Sequence, residues 1–175
     1  MKVSLNGLRD TAAWERAGVQ LPGFDIGKMR AATRERPIWV HFGAGNIFRA
    51  FIADLQQHLL DSGDAECGII AADTFDVDNI RMIYGGYDNL TMAATLNADA
   101  TVDLKIIASV AEALVGQTQA AEDWARLTEI FENPALQMVS FTITEKGYAL
   151  LGLTENRPGW PLPIWRTART SRCTA

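Results

Sequence analysis

The chain has 175 residues, 48% of them hydrophobic and 21% charged, and carries a net charge of −5 at pH 7. That is the make-up of a soluble globular domain with a sizeable core, and a pI near 5.0 leaves no basic stripe for nucleic-acid phosphates. No run is long enough to span a bilayer, the first residues lack an apolar secretory core, and two cysteines make no disulfide framework, so a cytoplasmic protein with no nucleic-acid and no membrane partner is expected.

Residues 1–36 read as a polar N-terminal leader around the turn Leu21-Pro22-Gly23-Phe24-Asp25, wrapping the domain that follows. The first predicted strand is Ile38–Phe42, apolar or aromatic apart from His41, as expected of a parallel strand covered on both faces. Gly43-Ala44-Gly45 follows at once. Apolar residues then fall at Phe48, Phe51, Ile52, Leu55 and Leu59, the spacing of a helix with one buried face, which Ser62-Gly63 stops. Strand, glycine turn and helix in this order suit a pyrophosphate bound at a helix N-terminus. Gly43 permits the tight turn and Gly45 lets the backbone approach the phosphates. Phe48 stands where a third glycine is usual, and Ala50 is the small residue expected to pack helix on strand.

A second strand, Cys67–Ala72, ends in Asp73. An acid at this place receives the adenosine ribose hydroxyls and favours NAD over its 2′-phosphorylated form. Asp73 lies 28 residues after Gly45, against roughly 20 in the usual fingerprint, and Asp76 is the neighbouring candidate. A helical turn over Val77–Ile83 is broken by Gly85-Gly86. Leu90–Leu96 and Val102–Ala108 suggest a hairpin, Ala120, Trp124, Leu127 and Phe131 a helix, and Val139–Thr144 a last strand. The order β-α-β-hairpin-α-β predicts an α/β fold, Rossmann-like, with a mostly parallel doubly wound sheet that is incomplete at its C-terminal side. His58 is expected on a helix surface and His41 under the glycine turn. Neither neighbours a cluster at ligand spacing, so no metal is expected.

The domain reading is therefore a leader (1–36), a partial nucleotide-binding domain (37–150) and an irregular tail (151–175). The tail carries Arg157, Arg166, Arg169 and Arg172 against one acid, a net of +3 that leaves −8 on the remainder, with three of the six prolines and no apolar periodicity. It reads as a basic binding tail or as a truncated or out-of-frame coding region.

Three segments, Pro22-Gly23-Phe24-Asp25, His41–Phe51 and Ser140–Tyr148 with its Thr-Glu-x-Gly-Tyr element, occur in the order found in a known family. Over about residues 15–150 the chain resembles the long-chain mannitol dehydrogenase and fructuronate reductase group of polyol and uronate oxidoreductases. The resemblance implies NAD as cofactor and a small-molecule polyol or sugar-acid substrate in the full-length enzyme. It also implies that Gly43, Gly45, Asn46, Ile47, Phe48 and Arg49 line the pyrophosphate, that Asp73 faces the adenosine ribose and that Glu145 lies on the nicotinamide side. The family's lysine base, in K-x-x-x-x-N-x-x-H, has no counterpart: none of Lys2, Lys28, Lys105 and Lys146 has an asparagine five residues on. The chain alone is thus expected to bind NAD without catalysing hydride transfer. Mannitol-1-phosphate dehydrogenases share a Gly-Ala-Gly-Asn-Ile stretch, but almost at their N-terminus, and the forty-residue leader argues against them. A non-catalytic nucleotide-binding or interaction module is the alternative from another class.

Overall fold

The computed structural model describes residues 2–75 and 77–143. Eleven elements carry the argument. They are α1 (Thr11–Arg16), β1 (Val19–Gln20), α2 (Ile26–Glu35), β2 (Trp39–Phe42), α3 (Ala53–Ser62) and β3 (Ile69–Asp73), then β4 (Thr91–Leu96), β5 (Val102–Ile107), β6 (Val110–Val115), α4 (Ala121–Glu132) and β7 (Met138–Phe141). Four strands form a parallel sheet in the order β6-β3-β2-β7. A second sheet, β1-β5-β4, joins the expected hairpin of β4 and β5 to a strand from the leader.

The parallel sheet is covered on both faces, and β3 makes this plain. Ile69 and Ala71 pack on one side with Phe48, Ala53 and Tyr84, while Ile70 and Ala72 pack on the other with Leu127 and Ile130 of α4. A strand buried on both faces needs an apolar residue at every position, which is why this one reads as a continuous run. The order also fixes where the winding reverses. From β2 the chain moves outward through β3 to β6, then α4 carries it back to β7 on the other side of β2. The gap between the carboxyl ends of β2 and β7 is therefore the switch point at which open α/β sheets hold ligands.

Two expectations are corrected. The predicted strand Val102–Ala108 is β5, and a further strand that no prediction covers, β6, follows it in the other sheet. Ser109 lies between them, fully buried, with its hydroxyl donating to Ala53 O at 2.5 Å. The helix after the glycine turn is the other correction. Phe48 is buried, but Phe51, Leu55 and Leu59 are 61%, 50% and 46% exposed. The helix opens with a π-helical turn, Phe48–Ile52, and its extra residue per turn moves the inward stripe one position along. The residues that face inward are Ala53, Gln56, Gln57 and Leu60. Burial of the two amides is compensated: Gln56 Nε2 donates to Cys67 O at 2.7 Å, and Gln57 donates to Ile106 O (2.7 Å) while accepting from Ala108 N (2.6 Å). Ala53, fully buried, takes the close-packing role expected of Ala50, which is exposed.

The leader is more ordered than a wrapping segment. Asp25 caps α2 by accepting from Lys28 N at 2.9 Å, and Trp14 of α1 and Val19 of β1 enter a small core with Leu90 and Ile106. His58 is exposed on α3 and Cys67 is buried. The tail, Cys173, Asp76 and Glu145 lie outside the described residues.

Candidate functional site

The backbone leaves β2 through Gly43 at φ +106°, a conformation that side-chain-bearing residues rarely adopt. A Cβ here would also lie 2.7 Å from Thr142 O and closer still to Thr142 Oγ1. Two neighbouring strands hold the turn. Gly43 N donates to Ala72 O at 2.9 Å. Ala44 N donates to Asp73 Oδ2 at 3.1 Å, at the end of β3. On the β7 side Thr142 N donates to Phe42 O (2.9 Å) and Thr142 Oγ1 to Gly43 O (3.0 Å). From below, Tyr84 OH donates to Ala44 O at 2.8 Å.

Gly45 differs from Gly43. A Cβ on it would meet no atom of the described residues within 4 Å, and its φ lies outside the left-handed range. The helix opens at Asn46, and Gly45 before it has no side chain, so the N-cap position supplies no acceptor to the first-turn N–H groups. Asn46 and Ile47 are exposed. Arg49 is half-buried, donates through one terminal nitrogen to Asn46 Oδ1, and has a buried Nε with no partner among the described residues. Phe48 is fully buried and stacks on the His41 ring at 4.5 Å. Its side chain belongs to the core, so only its backbone remains for a ligand.

Asp73 is half-exposed at the rim, and its other oxygen accepts from Phe75 N at 2.9 Å. Beside it, Phe42, Thr74, Gly116, Trp124 and Phe131 line a largely apolar recess of about 290 Å³ between the strand ends and α4. Burial, with Asp73 reinforcing it and Arg49 opposing, raises the Tyr84 hydroxyl's pKa well above that of an ordinary phenol, so it stays a donor. Burial lowers the pKa of His41, against a smaller opposite pull from the Gly43 carbonyl. Lys105 is tied to Asp54 at 2.6 Å, away from this rim. Among the described residues no group of three or more His, Cys, Asp or Glu is placed to hold a metal, and no helix is long and apolar enough to cross a membrane.

The structure thus brings Gly43, Gly45, Asn46, Ile47, Phe48, Arg49 and Asp73 to one rim, at the carboxyl ends of β2 and β3. Sequence reasoning missed Tyr84, which holds the turn, and two residues of the last strand: Ser140, which bonds His41 Nδ1 at 2.8 Å, and Thr142, which holds the turn. The signal for the last two was the apolar–polar alternation of the final strand, whose polar positions point across to β2.

By sequence the chain is 47% identical over 148 residues to the D-mannonate oxidoreductase of Thermotoga maritima, covering 85% of this chain and 27% of that protein. It is 32% identical over 125 residues to the D-mannonate oxidoreductase of Escherichia coli, covering 65% of this chain and 25% of that protein. No family model matches. By fold it is similar to Pseudomonas fluorescens mannitol 2-dehydrogenase, solved as a ternary complex with NAD and D-mannitol (TM-score 0.67, 23% identity, 85% of this chain and 28% of that one). It is also similar to a substrate-free D-sorbitol dehydrogenase (TM-score 0.64, 24% identity, with the same coverage). The chain spans about a quarter of the length of these relatives.

Proposed function

We propose that this chain, which belongs to the mannitol dehydrogenase family and spans about a quarter of its relatives' length, carries the NAD(H)-binding element of a polyol or sugar-acid oxidoreductase. The observation that carries the reading is Gly45. Among the described residues nothing demands its smallness or a glycine-only backbone there, and the space they leave suits a ligand. Open space beside an uncapped helix start, at the switch point of a parallel sheet, fits a pyrophosphate.

The pyrophosphate would lie against the Gly43–Gly45 turn and the first-turn N–H groups of Asn46, Ile47 and Phe48, with Arg49 supplying a cation. Asp73 would receive the adenosine ribose, and its charge would repel a 2′-phosphate. The apolar recess lined by Phe42 and Trp124 would take the adenine. Bound there, the cofactor supplies hydride acceptance or donation at a CH–OH carbon. This chain's residues orient it, Glu145 being placed by resemblance on the nicotinamide side. The proton-transfer groups that family members use have no counterpart in this sequence, so binding without turnover is expected, in the cytoplasm, with a small polyol or sugar acid as the substrate of the longer polypeptides.

Fluorescence titration with NADH tests this. Saturable binding that is lost in Gly45→Val, with the chain still folded, supports the reading. NADH binding unaffected by that substitution contradicts it.

A further inference from the structure

We propose that His41 is a positioning residue: through a one-way hydrogen-bond relay it fixes the Gly43–Ala44 peptide between β3 and β7, and the purpose of that fixing rests on the dinucleotide reading above. The chemistry of the two ends sets the direction. At one end Trp39 Nε1, which only donates, lies 2.7 Å from Ser140 Oγ. At the other end Gly43 O, which only accepts, engages the single hydroxyl proton of Thr142 at 3.0 Å. His41 stands between, with Nδ1 2.8 Å from Ser140 Oγ and Nε2 3.2 Å from Thr142 Oγ1.

Because the Thr142 proton is already engaged, Nε2 must carry a hydrogen and donate it. Nδ1 is then bare and accepts the Ser140 proton, while Ser140 Oγ accepts from Trp39. Every link has one donor and one acceptor. The other neutral tautomer breaks the relay at two points. Ser140 Oγ would receive two donors and have no acceptor for its own hydrogen. A bare Nε2 would face a hydroxyl whose proton is already on Gly43 O. The imidazolium shares the first fault, inside a fully buried ring stacked on Phe48.

The relay ends on one side of a peptide whose other side is also held. Thr142 fixes the Gly43 carbonyl from β7, and Asp73 accepts the Ala44 N–H from β3. His41 is fully buried beneath the turn and feels the Gly43 carbonyl only as a smaller pull. It acts through Thr142, on the orientation of the turn.

The test uses the whole chain with nitrogen-15-labelled histidine, and His58→Gln assigns the second set of signals. His41 is expected to give the neutral Nε2–H signature at neutral pH. Thr142→Val keeps the shape and removes the hydroxyl, and hydrogen exchange at the Ala44 amide should speed about tenfold, with a similar loss of NADH affinity. Thr142→Ser restores the hydroxyl and should stay within about twofold of wild type in both. If the valine variant does not fold, Ser140→Ala removes the donor to Nδ1 and is read by the same exchange. An Nδ1–H or charged His41 in the wild type, or unchanged Ala44 exchange in a folded variant, overturns the proposal. The expected signature and exchange response in a chain that binds no NADH support the relay and overturn the dinucleotide reading.

Discussion

A Cβ on Gly43 would collide with the backbone of Thr142, whereas a Cβ on Gly45, two residues later, would meet nothing among the described residues within 4 Å. The first half of the turn is closed by the protein itself, with Ala72, Asp73, Tyr84 and Thr142 all hydrogen-bonding to Gly43 or Ala44. The second half, from Gly45 into the helix that opens at Asn46, has no side chain at its N-cap position and open space at Gly45 among the described residues. The difference separates two reasons for a glycine: one is required by the backbone, the other by what the backbone leaves room for. A Gly-x-Gly pattern in the sequence carries both without telling them apart.

The largest effect is expected at the closed half. Gly43→Ala combines a strained φ with a backbone collision and should destabilise the chain by roughly 2–4 kcal/mol, read as a lowered midpoint in denaturant unfolding. A loss below about 0.5 kcal/mol would mean that the turn relaxes and that its closure is not structural.

Gly45→Ala should do the reverse. Its effect on unfolding is expected within about 1 kcal/mol, in either direction, since the new methyl meets no protein. NADH affinity should fall about tenfold or more, because the methyl occupies the space assigned to the ligand. Equal losses of stability and affinity in both glycine variants would erase the distinction.

A smaller effect concerns pH. Burial holds the folded-state pKa of His41 below its ordinary value, so the unfolded chain takes up that proton at higher pH than the folded one. The contribution to stability is complete above about pH 6.5, the ordinary histidine value, and is lost as pH falls toward the lowered one. The residues packed on the ring, Ser140, Thr142 and Phe48, are uncharged. Tm should therefore fall on mild acidification in the wild type and fall less in His41→Gln. Parallel slopes would assign the acid sensitivity elsewhere.

The smallest effect on stability is expected on the outer face of α3. Leu55 is 50% exposed between Phe51 and Leu59, a stripe that favours self-association of the isolated chain. Leu55→Glu should leave Tm and NADH affinity unchanged while shifting light scattering toward monomer. A lowered Tm would place Leu55 in the core after all.

That stripe also marks the limit of what the sequence discloses. The predicted strands Ile38–Phe42 and Cys67–Ala72 were legible because a nearly unbroken apolar run, His41 apart, has few other uses. The helix beginning at Asn46 was legible as a helix, but its inward face was not. Hydrophobic periodicity assumes an unbroken α-helical period, and the π-helical turn at Phe48–Ile52 shifts the phase by one residue without any compositional mark. Gln56 and Gln57 fall outside the predicted apolar stripe, and their partners, Cys67 O, Ile106 O and Ala108 N, lie on other elements. At the site, Gly43 and Gly45 announced themselves by spacing, and Asp73 by its place at a strand end. Tyr84 and Thr142 act through contacts made only once β3, β7 and the turn are assembled; the alternation of the last strand marks Thr142 as a polar position, but nothing local singles out Tyr84.

The central claim is that the open half of the turn, with Asp73 at its rim, is a seat for NAD(H). Parallel fluorescence titrations of the whole chain with NADH and NADPH, repeated in Asp73→Ala, test it most directly. The account predicts saturable NADH binding, weaker NADPH binding, and a preference that narrows or reverses when the carboxylate is removed. NADPH binding as tight as NADH in the wild type, and unchanged in Asp73→Ala, would contradict it.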